Sequence, residues 1–258
     1  MLVVDDGSTD NTAEIAGREG ATVVKHQINM GLAEAFRTEI EECLKRGADV
    51  IVHTDADGQY RAEEIPKLLK KIDEGYDLVL GSRFKGKIEK MPLIKRVGNK
   101  MFSKVISRIT KFPISDGQTG FRAFTKELAE KVRIRSTHTY TQEQIIRAVK
   151  EKFRVAEVPI YFAKRGGNTK SRLMKGPFDY AIHAGVNMLR VYRDYEPLKF
   201  FGIIGLAFLS AGIMIGLWLV ARFLKYGTVG RIPSTVLSML LITVGIQIII
   251  FGFIADKD

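Results

Sequence analysis

An apolar strand that runs into two closely spaced carboxylates is encoded by residues 50–59, Val50-Ile51-Val52-His53-Thr54-Asp55-Ala56-Asp57-Gly58-Gln59. A short apolar run that ends in a polar, glycine-containing turn is typical of a buried strand. Carboxylates in a D-x-D triplet are the oxygen ligands that hard divalent cations prefer, and Gln59 adds a neutral oxygen. A solvated loop is the alternative for an isolated triplet, so the flanking sequence decides between the two interpretations.

The flanking sequence repeats the pattern of an apolar run followed by polar residues. Strands are predicted at residues 2–4, 21–25, 50–54 and 76–80, and helices at residues 13–18, 31–46 and 66–74. Strands that alternate with helices predict an α/β fold with a mostly parallel sheet. Two more of these strands run into Asp5-Asp6 and Ser82-Arg83. Because ligands bind outside the carboxyl ends of such strands, we expect the three polar loops to share one site.

Charge and apolarity divide the 258-residue chain into residues 1–197, which are charged, and residues 198–258, which are mostly apolar. The net charge of +11 favours anionic partners. A basic cluster precedes the apolar end, where a membrane surface is expected: Lys164, Arg165, Lys170, Arg172 and Lys175. No nucleic-acid-binding motif is recognisable, so no nucleic-acid partner is predicted. The single cysteine, Cys43, excludes an intramolecular disulfide and favours a cytoplasmic catalytic domain.

Two stretches without a charged residue, 200–221 and 232–255, are each long enough to cross a bilayer. Buried core helices are the alternative. Before them, apolar or small residues recur at helical spacing, which predicts an amphipathic helix at the membrane interface, or else an ordinary surface helix: Phe178, Ile182, Gly185, Leu189 and Tyr192. The predicted organisation is a catalytic domain at 1–175, an interface helix at 176–197 and two transmembrane helices at 198–258.

Five motifs follow one another along the chain: Val3-Val4-Asp5-Asp6-Gly7-Ser8-Thr9-Asp10, Asn29-Met30-Gly31, Asp55-Ala56-Asp57-Gly58-Gln59, Gly81-Ser82-Arg83-Phe84 and Asp116-Gly117-Gln118-Thr119-Gly120-Phe121-Arg122. Their order resembles that of the family 2 glycosyltransferases with the GT-A fold. The resemblance covers about residues 1–175 and is strongest to dolichyl-phosphate mannose synthases and polyprenyl-phosphate glycosyltransferases.

The resemblance implies roles for individual residues. Metal ligands would be Asp55, Asp57 and Gln59, binding Mg²⁺ or Mn²⁺. The nucleotide sugar would be bound by Asp5, Asp6, Asp55, Asp116 and Glu143. The acceptor phosphate would be bound by Arg83, Lys95, Arg96 and Asn99. Catalytic residues would be Asp57, Arg83 and Arg122. Arg122 has a structural ion-pair role as its alternative, and Glu143 has that of an exposed residue at a helix start.

The implied activity is inverting transfer of a hexose from a GDP-mannose- or UDP-glucose-type donor to dolichyl or polyprenyl phosphate. The protein would be integral to the cell membrane, with its catalytic domain on the cytoplasmic side, and assembly as a homo-oligomer is left open. The alternatives are a membrane transferase that acts on another lipid or glycan, and a non-catalytic truncated copy. Processive polysaccharide synthesis is disfavoured because Gln144-Ile145-Ile146-Arg147-Ala148 lacks the tryptophan of the Q-x-x-R-W motif.

One departure from the family pattern concerns the first strand. Family members carry a further strand and helix before the V-D-D-G-S motif, and that strand lies near the centre of the sheet. Without it we expect an unpaired, apolar strand edge. The sequence is then interpreted as a fragment or as a degenerate copy, and further membrane spans are expected in relatives.

Overall fold

The structure is a computed structural model that describes residues 1–136, 139–164, 177–228 and 232–256. Its internal contacts divide the chain into two units, Met1–Ala181 and Ile182–Asp258. The basic cluster predicted before the membrane helices lies outside the described residues except for Lys164.

The first unit alternates strands and helices, as the sequence predicts. Its strands are β1 (Leu2–Asp5), β2 (Thr22–Lys25), β3 (Val50–His53), β4 (Leu78–Ile88), β5 (Arg122–Thr125) and β6 (Val155–Phe162). Its helices are α1 (Thr12–Arg18), α2 (Leu32–Lys45), α3 (Ile65–Asp73), α4 (Leu93–Thr110), α5 (Lys126–Lys131) and α6 (Thr141–Lys150). Helix α7 (Pro177–Tyr195) crosses the division between the units, and α8 (Pro197–Tyr226) and α9 (Ile232–Ala255) belong to the second.

The strands form two sheets. β1 and β2 pair in parallel, and four other strands follow the order β3-β5-β4-β6. β4 and β6 are parallel, whereas β5 is antiparallel to both of its neighbours. Within the described part of the chain, β1 and β3 therefore each have one paired edge and one open edge. β2 and β6 are outer strands too, so these edges do not test the expected unpaired, apolar edge, which stays a prediction.

The strand β4 is longer than predicted, and this corrects the position of one motif. Gly81-Ser82-Arg83-Phe84 was expected to be a loop after the strand, but it lies within β4. The extension exists because β6 supplies a partner as far as the pair Ile88–Phe162, with an irregularity in register between Ser82 and Lys87. Arg83 is consequently fixed by a strand rather than carried on a turn.

The core of the first unit lies between the four-stranded sheet and its helices. One buried cluster consists of Leu68, Val79, Phe121, Ala123, Val158 and Ile160. On α2, Ala33, Phe36 and Ile40 are buried at helical spacing. Phe36 stacks on Tyr140 with ring centroids 3.8 Å apart and meets the edge of His53 at 5.1 Å. This packing fixes the end of β3, where the D-x-D triplet begins.

The second unit contains two helices that are long and apolar enough to cross a membrane, α8 and α9. They pack through small residues: a Cβ added to Gly205 would lie 2.7 Å from the carbonyl oxygen of Gly245. The Ser238 hydroxyl donates a hydrogen bond of 2.7 Å to the Gly212 carbonyl. These contacts fit the predicted transmembrane hairpin. The interface role of α7 stays a prediction, since the side chains of Phe178 and Ile182 lie outside the described part.

Candidate active site

The carboxylate of Asp55 packs against Gly120. A Cβ added to Gly120 would lie 2.2 Å from Asp55 Oδ2, so only glycine allows this approach. The next acid, Asp57, accepts a 3.1 Å hydrogen bond from the backbone N–H of Gln59. The Gln59 amide nitrogen donates to the Ala163 carbonyl at 3.2 Å, which anchors the loop beside the end of β6. The three predicted metal ligands thus lie on one loop that is held by two other segments.

His53 carries positive charge beside this loop. Its Nδ1 lies 2.7 Å from Glu39, and its Nε2 lies 2.6 Å from the Tyr140 hydroxyl and 3.8 Å from Asp55 Oδ1. Burial opposes the charged imidazole, but Glu39 and Asp55 outweigh it and raise the pKa of His53 to about 9. Burial likewise opposes ionisation of Asp55, yet the hydrogen bond and charge of His53 hold its pKa below the ordinary value. Asp55 is therefore ionised and can bind a cation, while His53, which is 7% exposed, is packed inside the domain.

The oxygen atoms of this loop suit a hard divalent cation that is shared with a substrate. Among the described residues no group of three or more histidine, cysteine or acidic side chains could hold a metal. Asp55 and Asp57 therefore supply a partial shell of oxygen ligands. Mg²⁺ in phosphate-transfer sites is commonly bound in this way, by one or two carboxylates together with substrate phosphates and water. The residues present fit Mg²⁺ or Mn²⁺ brought together with a diphosphate.

A second carboxylate pair follows β1, and its two members have different environments. Asp5 is 2% exposed, and its Oδ1 accepts a hydrogen bond from the Ser8 N–H, whereas Oδ2 has no hydrogen-bond partner. Asp6 accepts from the N–H groups of Met30 and Gly31 at 2.8 and 2.9 Å. Although burial opposes its ionisation, hydrogen bonds from His26 and these N–H groups lower the pKa of Asp6. Asp6 therefore holds the 29–31 loop, and Asp5 presents a buried acceptor.

Adjacent residues of α2 link the two carboxylate loops. His26 bridges Asp6 and the Thr38 hydroxyl at 2.8 and 2.9 Å, while His53 pairs with Glu39. One helix thus contacts the histidine that follows β2 and the histidine that ends β3. The sequence gives no signal for this arrangement, because the histidines are separated from their partners on α2 by 12 and 14 residues.

Arg83 and Asp116 form a buried, bidentate ion pair. The Nε and Nη2 atoms of Arg83 donate to the two carboxylate oxygens of Asp116 at 2.7 Å each, and the Arg83 backbone N–H donates at 3.0 Å. Burial alone would lower the pKa of Arg83, but the bonds to Asp116 raise it above the ordinary value. The two residues, predicted to bind different substrates, are direct partners.

Glu157 is a site residue that the sequence analysis missed. Its Oε1 accepts hydrogen bonds from the N–H groups of Ser115 and Asp116 at 2.9 and 3.0 Å, and Lys85 lies 2.9 Å from its Oε2. It fixes the backbone that presents Asp116 to Arg83. The available signal was a lone acid in the apolar strand β6, Val155-Ala156-Glu157-Val158.

Arg122 and Glu143 are both buried. Arg122 is fully buried and donates to the carbonyl oxygens of Thr119 and Thr141 and to the side chain of Gln144. Burial lowers the pKa of Arg122. Glu143 is 5% exposed and accepts from the N–H groups of Arg135 and Ser136, so the exposed-residue alternative was wrong. Both side chains hold loops in place.

The remaining predicted residues lie in the first turns of α4. Lys95 is half-buried, Arg96 is exposed and Asn99 is 7% exposed. Phe84 connects this helix to Arg83: its ring lies 5.7 Å from Lys100 Nζ and 5.9 Å from the guanidinium carbon of Arg83. The basic helix and the buried arginine therefore meet at one aromatic side chain.

The fold and the carboxylate loops define a glycosyltransferase domain of the GT-A type. The structure is similar to that of glucosyl-3-phosphoglycerate synthase from Mycobacterium tuberculosis, with a TM-score of 0.56 and 16% identity over 74% of this chain and 67% of that chain. This likeness supports the fold alone.

Sequence similarity gives the family. The model of "Glycosyl transferase family 2" matches residues 1–133, and the chain belongs to that family. It is 35% identical to the dolichyl-phosphate hexose transferase of Haloferax volcanii over 66% of this chain and 72% of that protein. It is 30% identical to the glycosyltransferase AglJ of the same organism over 99% of this chain and 83% of that protein. The predicted family, its polyprenyl-phosphate branch, the GT-A fold and the hexosyltransferase class are confirmed.

Proposed function

We propose that this enzyme transfers a hexose, with inversion, from a GDP-mannose- or UDP-glucose-type donor to dolichyl or polyprenyl phosphate. The observation that carries the proposal is the path of one segment, Ser115–Arg122. Its Gly120 supports the Asp55 carboxylate, and its Asp116 binds Arg83. The segment thereby connects the loop that would bind the metal ion with the buried guanidinium of Arg83. Such a connection is expected where a diphosphate leaves and a phosphate attacks. The relative named a dolichyl-phosphate hexose transferase supports the same acceptor.

The donor is bound at the ends of β1 and β3. The Oδ2 of Asp5, which lies 3.9 Å from Lys25 Nζ and has no hydrogen-bond partner among the described residues, accepts a hydrogen bond from the base or ribose of the nucleotide, and Asp6 keeps the adjacent loop in place. Asp55, Asp57 and Gln59 would hold Mg²⁺ or Mn²⁺. When bound, this ion offsets the charge of the diphosphate and stabilises the leaving nucleoside diphosphate.

The acceptor supplies its own nucleophile. A phosphate monoester is anionic near pH 7, so one of its oxygens attacks the anomeric carbon without a general base. The bond between that carbon and the donor phosphate oxygen breaks, and the nucleoside diphosphate leaves from the opposite face. Arg83, Lys95, Arg96 and Asn99 position the acceptor and offset its repulsion from the donor.

Three buried residues act on the substrates through the groups that they hold in place. Arg122 holds the carbonyl of Thr119 next to Gly120, and Glu143 holds residues 135–136. Asp116 acts in the same manner by fixing the guanidinium of Arg83. We therefore assign positioning roles to Asp116, Arg122 and Glu143 in place of direct contact with the sugar.

The helices α8 and α9 anchor the catalytic domain to a membrane that contains the lipid acceptor. We place the domain on the cytoplasmic side, where nucleotide sugars are made and where a lone thiol such as Cys43 stays reduced.

Sugar transfer in nanodiscs tests the proposal. The full chain is supplied with Mn²⁺ or Mg²⁺, a polyprenyl phosphate, and each of several radiolabelled GDP- and UDP-sugars. We expect label in the lipid fraction with one donor class and, by NMR, an anomeric configuration opposite to that of the donor. Asp57→Asn should reduce the rate by about 100-fold or more, whereas Asp73→Asn, the same change at an exposed position on α3, should not.

Two results would contradict the proposal. Retention of configuration would exclude direct displacement. Lipid labelling that survives Asp57→Asn would remove the metal-binding loop from the mechanism.

A further inference from the structure

A cavity of about 550 Å³ lies between α8 and α9, near the end of the hairpin at which the two helices are connected. Its lining extends from Gly216 to Phe223 on α8 and from Thr235 to Thr243 on α9. The volume falls in the range of about 300–1,000 Å³ that is typical of ligand sites. The proposed transfer reaction makes no use of this cavity, which we call the hairpin groove.

The hairpin groove has a narrow floor and apolar walls. At the floor, a Cβ added to Gly216 would lie 3.1 Å from the hydroxyl oxygen of Ser238, and Leu219 is 6% exposed. On the walls, Phe223 of α8 and Met239 of α9 are 49% and 70% exposed. The groove is therefore open to its surroundings, which in a bilayer are lipid chains.

The position of Arg222 indicates how deep the groove lies in a membrane. α8 has no charged residue from 200 to 221, and Arg222 follows directly, so it marks the level at which the apolar span ends. At about 1.5 Å per residue, the lined stretches of α8 and α9 are about 10 and 12 Å long. One leaflet of a bilayer contributes about 15 Å of hydrocarbon. The groove thus has nearly the length of one acyl chain that starts at headgroup level.

Arg222 provides a cation beside the groove. Its guanidinium carbon lies 6.0 Å from the ring centroid of Trp218 and 5.6 Å from that of Tyr226. Its Nε is buried and has no hydrogen-bond partner among the described residues. A buried donor without an acceptor is costly, and the guanidinium fork matches the oxygens of a phosphate. Arg222 adjoins the lining residue Phe223 and is less than one turn from Leu219, so it can reach a headgroup at the groove.

We propose that the hairpin groove binds one anionic glycerophospholipid, with an acyl chain between α8 and α9 and the phosphate on Arg222. Basic pockets between transmembrane helices bind anionic lipid headgroups in this way. A second copy of the chain fits less well, because α8 and α9 contain no acidic residue that could meet Arg222. The inference goes beyond the transfer reaction and rests only on the membrane location of the hairpin.

The fluorescence of Trp218 tests the inference without reference to activity. Trp218 is the single tryptophan of the chain and is 46% exposed, so it reports on the lipids beside Arg222. The full chain is placed as a single copy in phosphatidylcholine nanodiscs with a small fraction of brominated lipid, which quenches tryptophan on contact. The brominated lipid is either phosphatidylglycerol or phosphatidylcholine. We expect a relative binding constant about fivefold higher for phosphatidylglycerol, as one cation at an anionic headgroup provides.

Two charge variants show whether this preference depends on Arg222. Arg222→Gln should remove the preference, whereas Lys225→Gln should retain it. Lys225 is the matched control, because it lies in the same part of α8 but about 200° around the helix from Phe223. Equal binding of the two lipids to the wild type, or an equal loss of preference in both variants, would overturn the proposal.

Filling the groove provides an independent test. Gly216→Leu places a side chain in the groove, and native mass spectrometry should show loss of the phosphatidylglycerol that the wild type retains in detergent. Gly202→Leu on α8 should retain the lipid, because nothing lies within 4 Å of a Cβ added there. Equal retention in the two variants would contradict the inference.

Two further results would assign the groove to another occupant and overturn the proposal. Displacement of brominated phosphatidylglycerol by polyprenyl phosphate, but not by unlabelled phosphatidylglycerol, would assign it to the acceptor chain. Quenching that changes only when two copies share a nanodisc would assign it to self-association.

Discussion

At the scale of single residues, the Asp55 carboxylate is fixed from two sides. Gly120 lies against one oxygen, and the imidazole of His53 lies 3.8 Å from the other. Neither residue is a ligand in the proposed mechanism. They keep the carboxylate ionised and in one position before a metal arrives, and such preorganisation lowers the cost of binding.

The contact between Gly120 and Asp55 gives the first prediction. Gly120→Ala places a methyl group where the carboxylate now lies, so Asp55 must move. We expect Mn²⁺ affinity, measured by electron paramagnetic resonance with a nucleoside diphosphate present, to fall about tenfold or more, which corresponds to about 1.4 kcal/mol. Gly17→Ala is the control, since nothing lies within 4 Å of a Cβ added at that helical position. Equal affinities in the two variants would refute the steric argument.

The second prediction concerns pH and stability. The pKa of His53 is about 9 in the folded protein against an ordinary 6.5, so the folded state binds this proton more tightly. The resulting stabilisation is complete below pH about 6.5 and is lost as pH rises through about 9, with a full value on the order of 3 kcal/mol. Thermal unfolding from neutral to alkaline pH should show the loss, and His53→Gln should flatten the profile. A midpoint in the wild type that does not change over this range would contradict the assignment.

The sequence singled out the acids of the candidate site but not the partners that fix them. Asp55 and Asp57 were proposed because a D-x-D triplet follows an apolar strand. The pairing of Arg83 with Asp116 joins residues 33 positions apart, and Glu157 reaches its partners across 41 or more positions. Contacts of this range depend on the sheet topology, which the local pattern does not encode.

At the scale of secondary structure elements, the hairpin of α8 and α9 is held by close backbone approach. Gly205 and Gly245 face each other, and the Ser238 hydroxyl closes a hydrogen bond between the helices. Small residues allow such contact in a bilayer, where apolar surface alone does not drive helices together.

The third prediction follows from this packing. Gly245→Leu introduces a side chain whose Cβ would lie 2.7 Å from the backbone nitrogen of Leu209, and it should force the helices apart. Overpacking of this kind costs roughly 1–3 kcal/mol, so thermal unfolding in detergent should shift to lower temperature. Gly202→Leu on α8 is the matched control, because nothing lies within 4 Å of its added Cβ. A similar shift in both variants would show that the approach at Gly245 does not hold the hairpin.

Prediction from sequence was most successful for elements that one clear local pattern marks, such as a long run without charge or a short apolar strand. The charge-free runs at 200–221 and 232–255 correspond to α8 and α9, and the first strands and helices differ by only a few residues from their predicted bounds. The end of β4 was missed because Gly81-Ser82-Arg83 is polar and the pairing with β6 keeps it extended. Helix α4 was missed as well. Its buried apolar residues, such as Phe102 and Ile106, and its exposed ones, such as Leu93 and Val97, each recur at helical spacing, so no single apolar face stands out in the sequence.

At the scale of the whole molecule, the net charge of +11 agrees with an enzyme whose two substrates and whose membrane surface are all anionic. Basic residues are placed inside the catalytic domain at Arg83 and on its surface along α4. The absence of a nucleic-acid partner and the oligomeric state stay predictions.

The most direct test of the central claim compares two acceptors that differ only in the phosphate. The full chain in nanodiscs receives the active nucleotide sugar, Mn²⁺, and either a polyprenyl phosphate or the corresponding polyprenol. We predict sugar transfer to the phosphate and none to the alcohol, because in the proposed mechanism the phosphate oxygen is the nucleophile and no residue is assigned as a general base that would activate a hydroxyl. Equal transfer to the alcohol, or transfer to neither lipid while another lipid or glycan is glycosylated, would contradict this account.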